Sequence, residues 1–216
     1  MKRYLPFLIV AVVGLTTFGS GFALYRSKKM AAPTASKDSA TNGLHVRGSK
    51  SAQVTIEEFG DFQCPPCGIM AGLLKKTEEE YGSRLRVIFR HFPLAIHAHA
   101  REAALAAEAA EMQGRFWEMH DLIYKEQAAW SKADNVPALF ESYARTIGLD
   151  VDRFEKDLKN PEIAARVDAD QKLGSSRGVT STPTLFVNNV LLPPASINPA
   201  GLHQAIEKAL EEKPQS

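Results

Sequence analysis

Hydrophobic and polar positions along the chain alternate first at Val54, Ile56 and Glu58, with Phe59 closing the run, so residues 53–59 read as a strand. A loop at 60–63 leads into a helix that Pro65 suits as a first-turn residue, since its missing N–H would be unpaired there anyway. That helix continues through Met70, Leu73 and Leu74 to about Glu80. Residues 85–92 form a second predicted strand, ended by Pro93. The pattern then changes: 98–113 is dense in alanine with charges at Arg101, Glu102, Glu108 and Glu111, which is strong helix composition. Helical stretches follow at 116–126, 137–146, 151–158 and 161–174, punctuated by glycine and proline. Strands return at 184–187 and 190–192 around an Asn188-Asn189 turn. A closing helix over 199–211 carries Leu202, Ile206 and Leu210 on one face. Strand, helix, strand, a long helical stretch, a hairpin and a helix predict an α/β fold. Its mixed central sheet is flanked by helices and carries an inserted all-helical subdomain at about 95–175.

Upstream of this domain, residues 5–24 are apolar without a charge. At about 1.5 Å per residue they would span roughly 30 Å, enough for a hydrocarbon core. The stretch also holds Gly14, Thr16, Thr17, Gly19, Ser20 and Gly21, and Gly21-Phe22-Ala23 is a tolerable cleavage site, so residues 1–26 read as a membrane anchor or a signal peptide. Length favours the anchor. Lys2 and Arg3 before the span nearly balance Arg26, Lys28 and Lys29 after it, so charge leaves orientation open. Residues 27–51, rich in Ala, Ser, Thr, Lys and Gly, are expected to be a flexible tether, and 52–212 the folded domain. Beyond residue 29 there are 21 basic and 25 acidic side chains, an excess of acid that gives no electrostatic case for nucleic acid.

Cys64 and Cys67 are the only cysteines, two residues apart in Phe62-Gln63-Cys64-Pro65-Pro66-Cys67. Such a pair closes and opens a small ring in exchange with a third thiol. A zinc site needs four ligands and no second pair exists. A purely structural disulfide gains least when its loop is this short. Redox exchange is the favoured reading of the three. At the helix N-terminus Cys64 is expected to be the more acidic thiol and the attacking or attacked sulfur; Cys67, a turn further in, is the resolving one. Pro65 and Pro66 remove two N–H donors from that helix start, which favours the closed disulfide and a weaker oxidant. Glu58 lies on the face of Val54 and Ile56, so it is expected to be buried with a raised pKa, while Glu57 faces away. His97 and His99 sit two apart and do not share a helix face; a surface patch is expected of them, strand-end packing of His91, and core or groove positions of Trp117 and Trp130.

Three motifs in order, Glu-Phe-Gly-Asp-Phe-Gln-Cys-Pro-Pro-Cys at 58–67, Gln-Gly-Arg-Phe-Trp-Glu-Met-His-Asp at 113–121 and Gly-Val-Thr-Ser-Thr-Pro-Thr-Leu-Phe-Val-Asn at 178–188, resemble the DsbA-type thioredoxin-fold oxidoreductases. The likeness runs over about 46–210 and is greatest to the bacterial membrane-anchored branch. It implies that Glu58 relays protons to Cys67. It implies a cis Thr182-Pro183 bond against the cysteines, where local statistics would say trans. Thr182 would then lie beside Cys64 and tune substrate release, and His120 would pack the insertion. An apolar rim of Phe62 and Pro65 is expected to hold unfolded clients. No metal and no cofactor is expected. The implied activity is donation of the Cys64–Cys67 disulfide to secreted or envelope proteins on the extracytoplasmic side, with reoxidation by an integral-membrane, quinone-coupled thiol oxidase. Two alternatives stay open: a reductase or isomerase on the same fold, and a non-catalytic peptide- or copper-binding module using the two thiols and Met70.

Overall fold

The computed structural model describes residues 45–212. The expected anchor at 5–24 lies outside them, and among the described residues no helix is long and apolar enough to cross a membrane. Strand β1 (His45–Gly48) is followed by β2 (Val54–Gly60), helix α1 (Pro65–Tyr81) and β3 (Leu85–His91). Then come α2 (Ala100–Glu111), α3 (Phe116–Lys125), α4 (Gln127–Trp130), α5 (Val136–Thr146), α6 (Val151–Asp157) and α7 (Pro161–Ser176). Strands β4 (Thr184–Val187) and β5 (Val190–Leu191) and helix α8 (Pro199–Glu211) close the fold. The sheet order is β1-β3-β2-β4-β5. β2 runs parallel to β3, and the other pairs are antiparallel. This is the thioredoxin-type mixed sheet, with six helices between β3 and β4.

Local chemistry sets the boundaries. Asn135, Asp150, Asn160 and Asn198 cap α5, α6, α7 and α8 by accepting from backbone N–H groups, each with a helix start that α1 makes differently, on Cys64. Asn188 and Asn189 take positive φ (46° and 67°), the left-handed pair that a tight hairpin between β4 and β5 needs. On one face of the sheet Val54, Ile56, Val87 and Leu185 pack against Met70 and Leu74 of α1 and Leu202 and Ile206 of α8. On the other, Phe59 and Phe186 meet Phe92, and α7 comes so near that a Cβ on Gly174 would sit 2.7 Å from the Phe92 ring. The insertion's own core, with Phe116, Met119, Ile123 and Trp130, is continuous with Phe62, Cys64 and Cys67.

Two expectations on bounds are corrected. The tether drawn over 27–51 is cut short by β1, whose residues pair with Phe89 to Arg86 of β3, so the folded domain starts before residue 52. Four residues with one apolar position carry too little periodicity to announce a strand; the pairing with a distant partner makes it. Glu57 faces away from Val54 and Ile56 as expected, and that second face is buried too. Helix α7 covers that face, and the carboxylate is held between Arg90 (2.9 Å) and Arg177. The helix expected at 98–113 is shorter at both ends, and α4 is an added short helix after α3. Met70 is 4% exposed within the sheet–helix core, packed in the cluster that holds Ile56 and Leu74.

Candidate active site

The site is assembled where β2 ends. Gly60 and Asp61 turn the chain into the cysteine loop, and Asp61 organises it. Its buried carboxylate accepts from the Gln63 N–H (2.7 Å) and the Leu94 N–H (2.8 Å) and pairs with His97 Nδ1 at 2.7 Å. Gln63 then receives the His99 N–H (2.6 Å) and donates to the Ser131 carbonyl (3.1 Å). From the insertion, Gln127 Nε2 donates to the carbonyls of Phe62 (2.7 Å) and Cys64 (3.0 Å). The loop is thereby fixed from below by β2, from the side by the segment after β3, and from above by α4.

Cys64 caps α1, with Pro65 and Pro66 as the first helical residues, so Cys67 supplies the first backbone N–H of the helix. Both cysteines are free thiols, 6% and 0% exposed. A hydrogen bond from the Cys67 side chain lowers the Cys64 pKa, opposed by burial and the Asp61 charge and helped by the Thr182 side chain and the Cys67 N–H. The net value is about 6, against an ordinary 9.0. Burial, with the hydrogen bond to Cys64 and the Glu58 charge, pushes Cys67 far up. The Cys64 thiol donates to the Thr182 carbonyl at 3.3 Å, and the Thr182-Pro183 bond is cis.

Glu58 is 1% exposed on the Cys67 side of β2, and burial raises it to about 8 although Arg47 pulls it down. Pro65 and Pro66 are exposed beside Cys64, as is Ile69 at 76%. Phe62 is not part of that rim. It is 1% exposed, wedged among Phe89, His91, His120 and Tyr124, with ring centroids 4.8–5.9 Å away. A fully apolar side chain one turn from a core strand packs inward, and the rim's apolar surface falls instead to Ile69 and to Ile96, 83% exposed next to His97. The structure thus brings together Cys64, Cys67, Glu58, Thr182, Pro183 and Pro65.

Sequence reasoning passed over Asp61, Gln127 and Tyr124, and assigned His97 to a surface patch where it in fact pairs with buried Asp61. Asp61 had a readable signal: an Asp two residues before a turn N–H is a favoured side-chain-to-backbone motif. Gln127 had none, because its partners lie 63 and 65 positions away. His91 is more than strand-end packing. His45 Nε2 (2.6 Å) and His91 Nε2 (3.0 Å) both meet Glu108 Oε1, and Arg166 lies 3.2 Å from Oε2. His45, His91 and Glu108 are a candidate metal trio. The separations are hydrogen-bond lengths, tighter than ligands about 2.0–2.1 Å from one tetrahedral zinc would adopt, and a guanidinium holds the second oxygen.

A family model described as thioredoxin matches residues 40–208. The Na(+)/H(+) antiporter NhaA 1 of Salinispora arenicola is 41% identical over 145 residues, which is 67% of this chain and 21% of that protein. The chain spans about a fifth of the length of the curated relatives it matches. Among solved structures, a thioredoxin-like oxidoreductase from Silicibacter pomeroyi DSS-3 superposes with TM-score 0.70 at 25% identity, over 83% of this chain and 100% of that one. Pseudomonas aeruginosa DsbA2 superposes with TM-score 0.63 at 27% identity, over 80% and 97%.

Proposed function

We propose, for a chain that belongs to the thioredoxin family and is a DsbA-type thiol–disulfide oxidoreductase, that Cys64 and Cys67 donate their disulfide to reduced proteins outside the cytosol. The observation that carries this reading is the opposite displacement of the two thiols, one made acidic and the other held protonated. A client thiolate attacks Cys64 Sγ, the less buried sulfur. The Cys64–Cys67 bond breaks, and Cys67 leaves as a thiolate that takes the Glu58 proton. A second client thiolate then attacks the client sulfur of the mixed disulfide and expels Cys64 as a stable thiolate. Two electrons pass from the client to the pair, and the client keeps the new S–S bond. Thr182 and Pro183 present backbone beside Cys64 for an extended client, and Pro65 with Ile69 offers it apolar surface.

Magnitude bounds the claim. Lowering Cys64 from 9.0 to about 6 stabilises the reduced form at pH 7 by about 1.4 kcal/mol, or about 30 mV. That moves the pair toward an oxidant without making it an extreme one, in keeping with two prolines where N–H donors would otherwise stand. Disulfides persist outside the cytosol, so the proposed site of action is extracytoplasmic. Residues 5–24 are the proposed inner-membrane anchor, and a quinone-coupled membrane thiol oxidase the proposed source of new disulfides. The test is the reduction potential of Cys64–Cys67 in glutathione buffers. A value of about −120 to −180 mV supports donation; a value near about −270 mV makes the chain a reductase and overturns this reading.

A further inference from the structure

Among the described residues five acids are buried: Glu57, Glu58, Asp61, Glu108 and Asp170. Three of them have an arginine set against their charge. Glu57 lies between Arg90 and Arg177, Glu108 has Arg166 at 3.2 Å, and Asp170 meets Arg90 at 2.8 Å. Among the described residues no arginine or lysine pairs with Asp61, although its carboxylate is 0% exposed; the one side chain on it is His97, itself 20% exposed, with Nδ1 at 2.7 Å. A carboxylate taken out of water keeps its field, and the groups that offset it decide what its neighbours feel.

Asp61 is also tied to the exchanging cysteine. Its main-chain carbonyl accepts the Cys64 N–H at 3.1 Å. Of the influences on Cys64, led by the hydrogen bond from Cys67, Asp61 is the charge that opposes the thiolate. Its two carboxylate oxygens are used differently. Oδ1 takes the Gln63 N–H on the cysteine side, and Oδ2 takes the Leu94 N–H and His97 Nδ1 from the segment after β3. The neighbouring imidazole, His99, is turned to Glu102 at 2.9 Å and takes no share.

We infer that His97 is a positioning residue of the exchange reaction: its Nδ1, set on Asp61 Oδ2, draws the carboxylate's charge toward the 94–97 segment and relieves the Cys64 sulfur of it. The inference rests on the reading of Cys64 as the exchanging thiolate. Among the described residues no hydrogen bond joins His97 to either sulfur, so it acts through Asp61. Without it the buried carboxylate keeps two backbone donors only, and more of its field falls on Cys64. The thiolate is then less favoured, and Cys64 leaves the mixed disulfide with a client less readily. The same segment carries Ile96, 83% exposed, so the stretch that offers a client apolar surface also sets the charge its target sulfur feels.

The test follows the thiolate absorbance of the reduced full chain against pH. His97→Ala is expected to move the Cys64 midpoint up by about half a unit or more. His97→Arg, which keeps an N–H donor and brings a fixed positive charge, is expected to leave it at or below the parent's. In an Asp61→Asn background His97→Ala is expected to shift nothing, since no carboxylate charge is left to offset. Loosened packing would act whatever the charge at position 61 and would be worsened by the larger arginine, so these two arms separate the roles. An unchanged midpoint in His97→Ala, the same rise in His97→Arg, or an equal rise in the Asp61→Asn background overturns the inference and leaves the Cys64 reading standing. A parent midpoint near 9.0 overturns both.

Discussion

Cys64 and Cys67 sit in one four-residue loop, yet their surroundings push them in opposite directions, and the difference comes from who donates to whom. Cys67 gives its proton to a shared hydrogen bond and is buried; Cys64 receives it, with the Thr182 side chain helping. A thiol lowered to about 6 gains its folded-state advantage as a thiolate, so the reduced protein has the full benefit above pH 9 and loses it as pH falls through about 6. The thiolate absorbance of the reduced chain is expected to titrate near pH 6 and to vanish in Cys64→Ser; a midpoint near 9.0 would refute the hydrogen-bond account. Glu58 works the other way. Holding its carboxyl protonated at pH 7 with a pKa of about 8 costs about 3 kcal/mol relative to an ordinary glutamate at 4.5, a penalty tolerated at a site and not in a scaffold. The burial of Glu58 was legible from its alternation with Val54 and Ile56. The burial of Glu57 was not, because α7, which covers the second face, is more than a hundred residues downstream.

Among the elements, those whose signals are local were readable, and those made by distant partners were not. Asparagine and aspartate caps, the alanine run of α2 and the Asn188-Asn189 turn announce themselves within a few residues. Strand β1 exists because β3 receives it, and α4 is a single turn whose value lies in what Gln127 reaches. That residue ties the insertion to the cysteine loop through two carbonyls, at about 0.5–1.5 kcal/mol per hydrogen bond. Gln127→Ala is expected to lower stability by about 1–3 kcal/mol in denaturant titrations, with the redox motif more exposed to alkylation. Unchanged stability and alkylation would mean that the loop is held by Asp61 and Gln63 alone.

At the scale of the whole molecule, the buried group of His45, His91, Glu108 and Arg166 joins β1, β3, α2 and α7, which fastens the sheet to the insertion. Burial alone would raise Glu108, but the hydrogen bonds from His45 and His91 outweigh it and hold the carboxylate well below its ordinary 4.5. A depressed carboxylate contributes stability that is complete above its unfolded value and is lost as pH falls toward the folded one. His120, buried and lowered to about 4, adds a loss that begins below its ordinary 6.5. Glu58, raised to about 8, gains stability over the same window and offsets the His120 loss, so the step below about pH 6.5 is expected only in Glu58→Gln; a step below about 4.5 is expected in both chains, and Glu108→Gln should remove it while lowering stability at pH 7. A Glu58→Gln chain whose stability is flat from pH 7 to pH 4 would contradict both assignments. The fold class and the redox pair were visible in the sequence; this clasp was not, since two histidines 46 positions apart and a glutamate on an alanine helix share no motif.

The burial of Cys64 also bears on what can reach it. Oxidation of a thiol to sulfenic acid follows thiolate character and exposure, and here the two pull apart: a pKa of about 6 supplies the thiolate, while burial leaves little of the sulfur open. What sets the rate of oxidative damage at this atom is therefore access and not acidity.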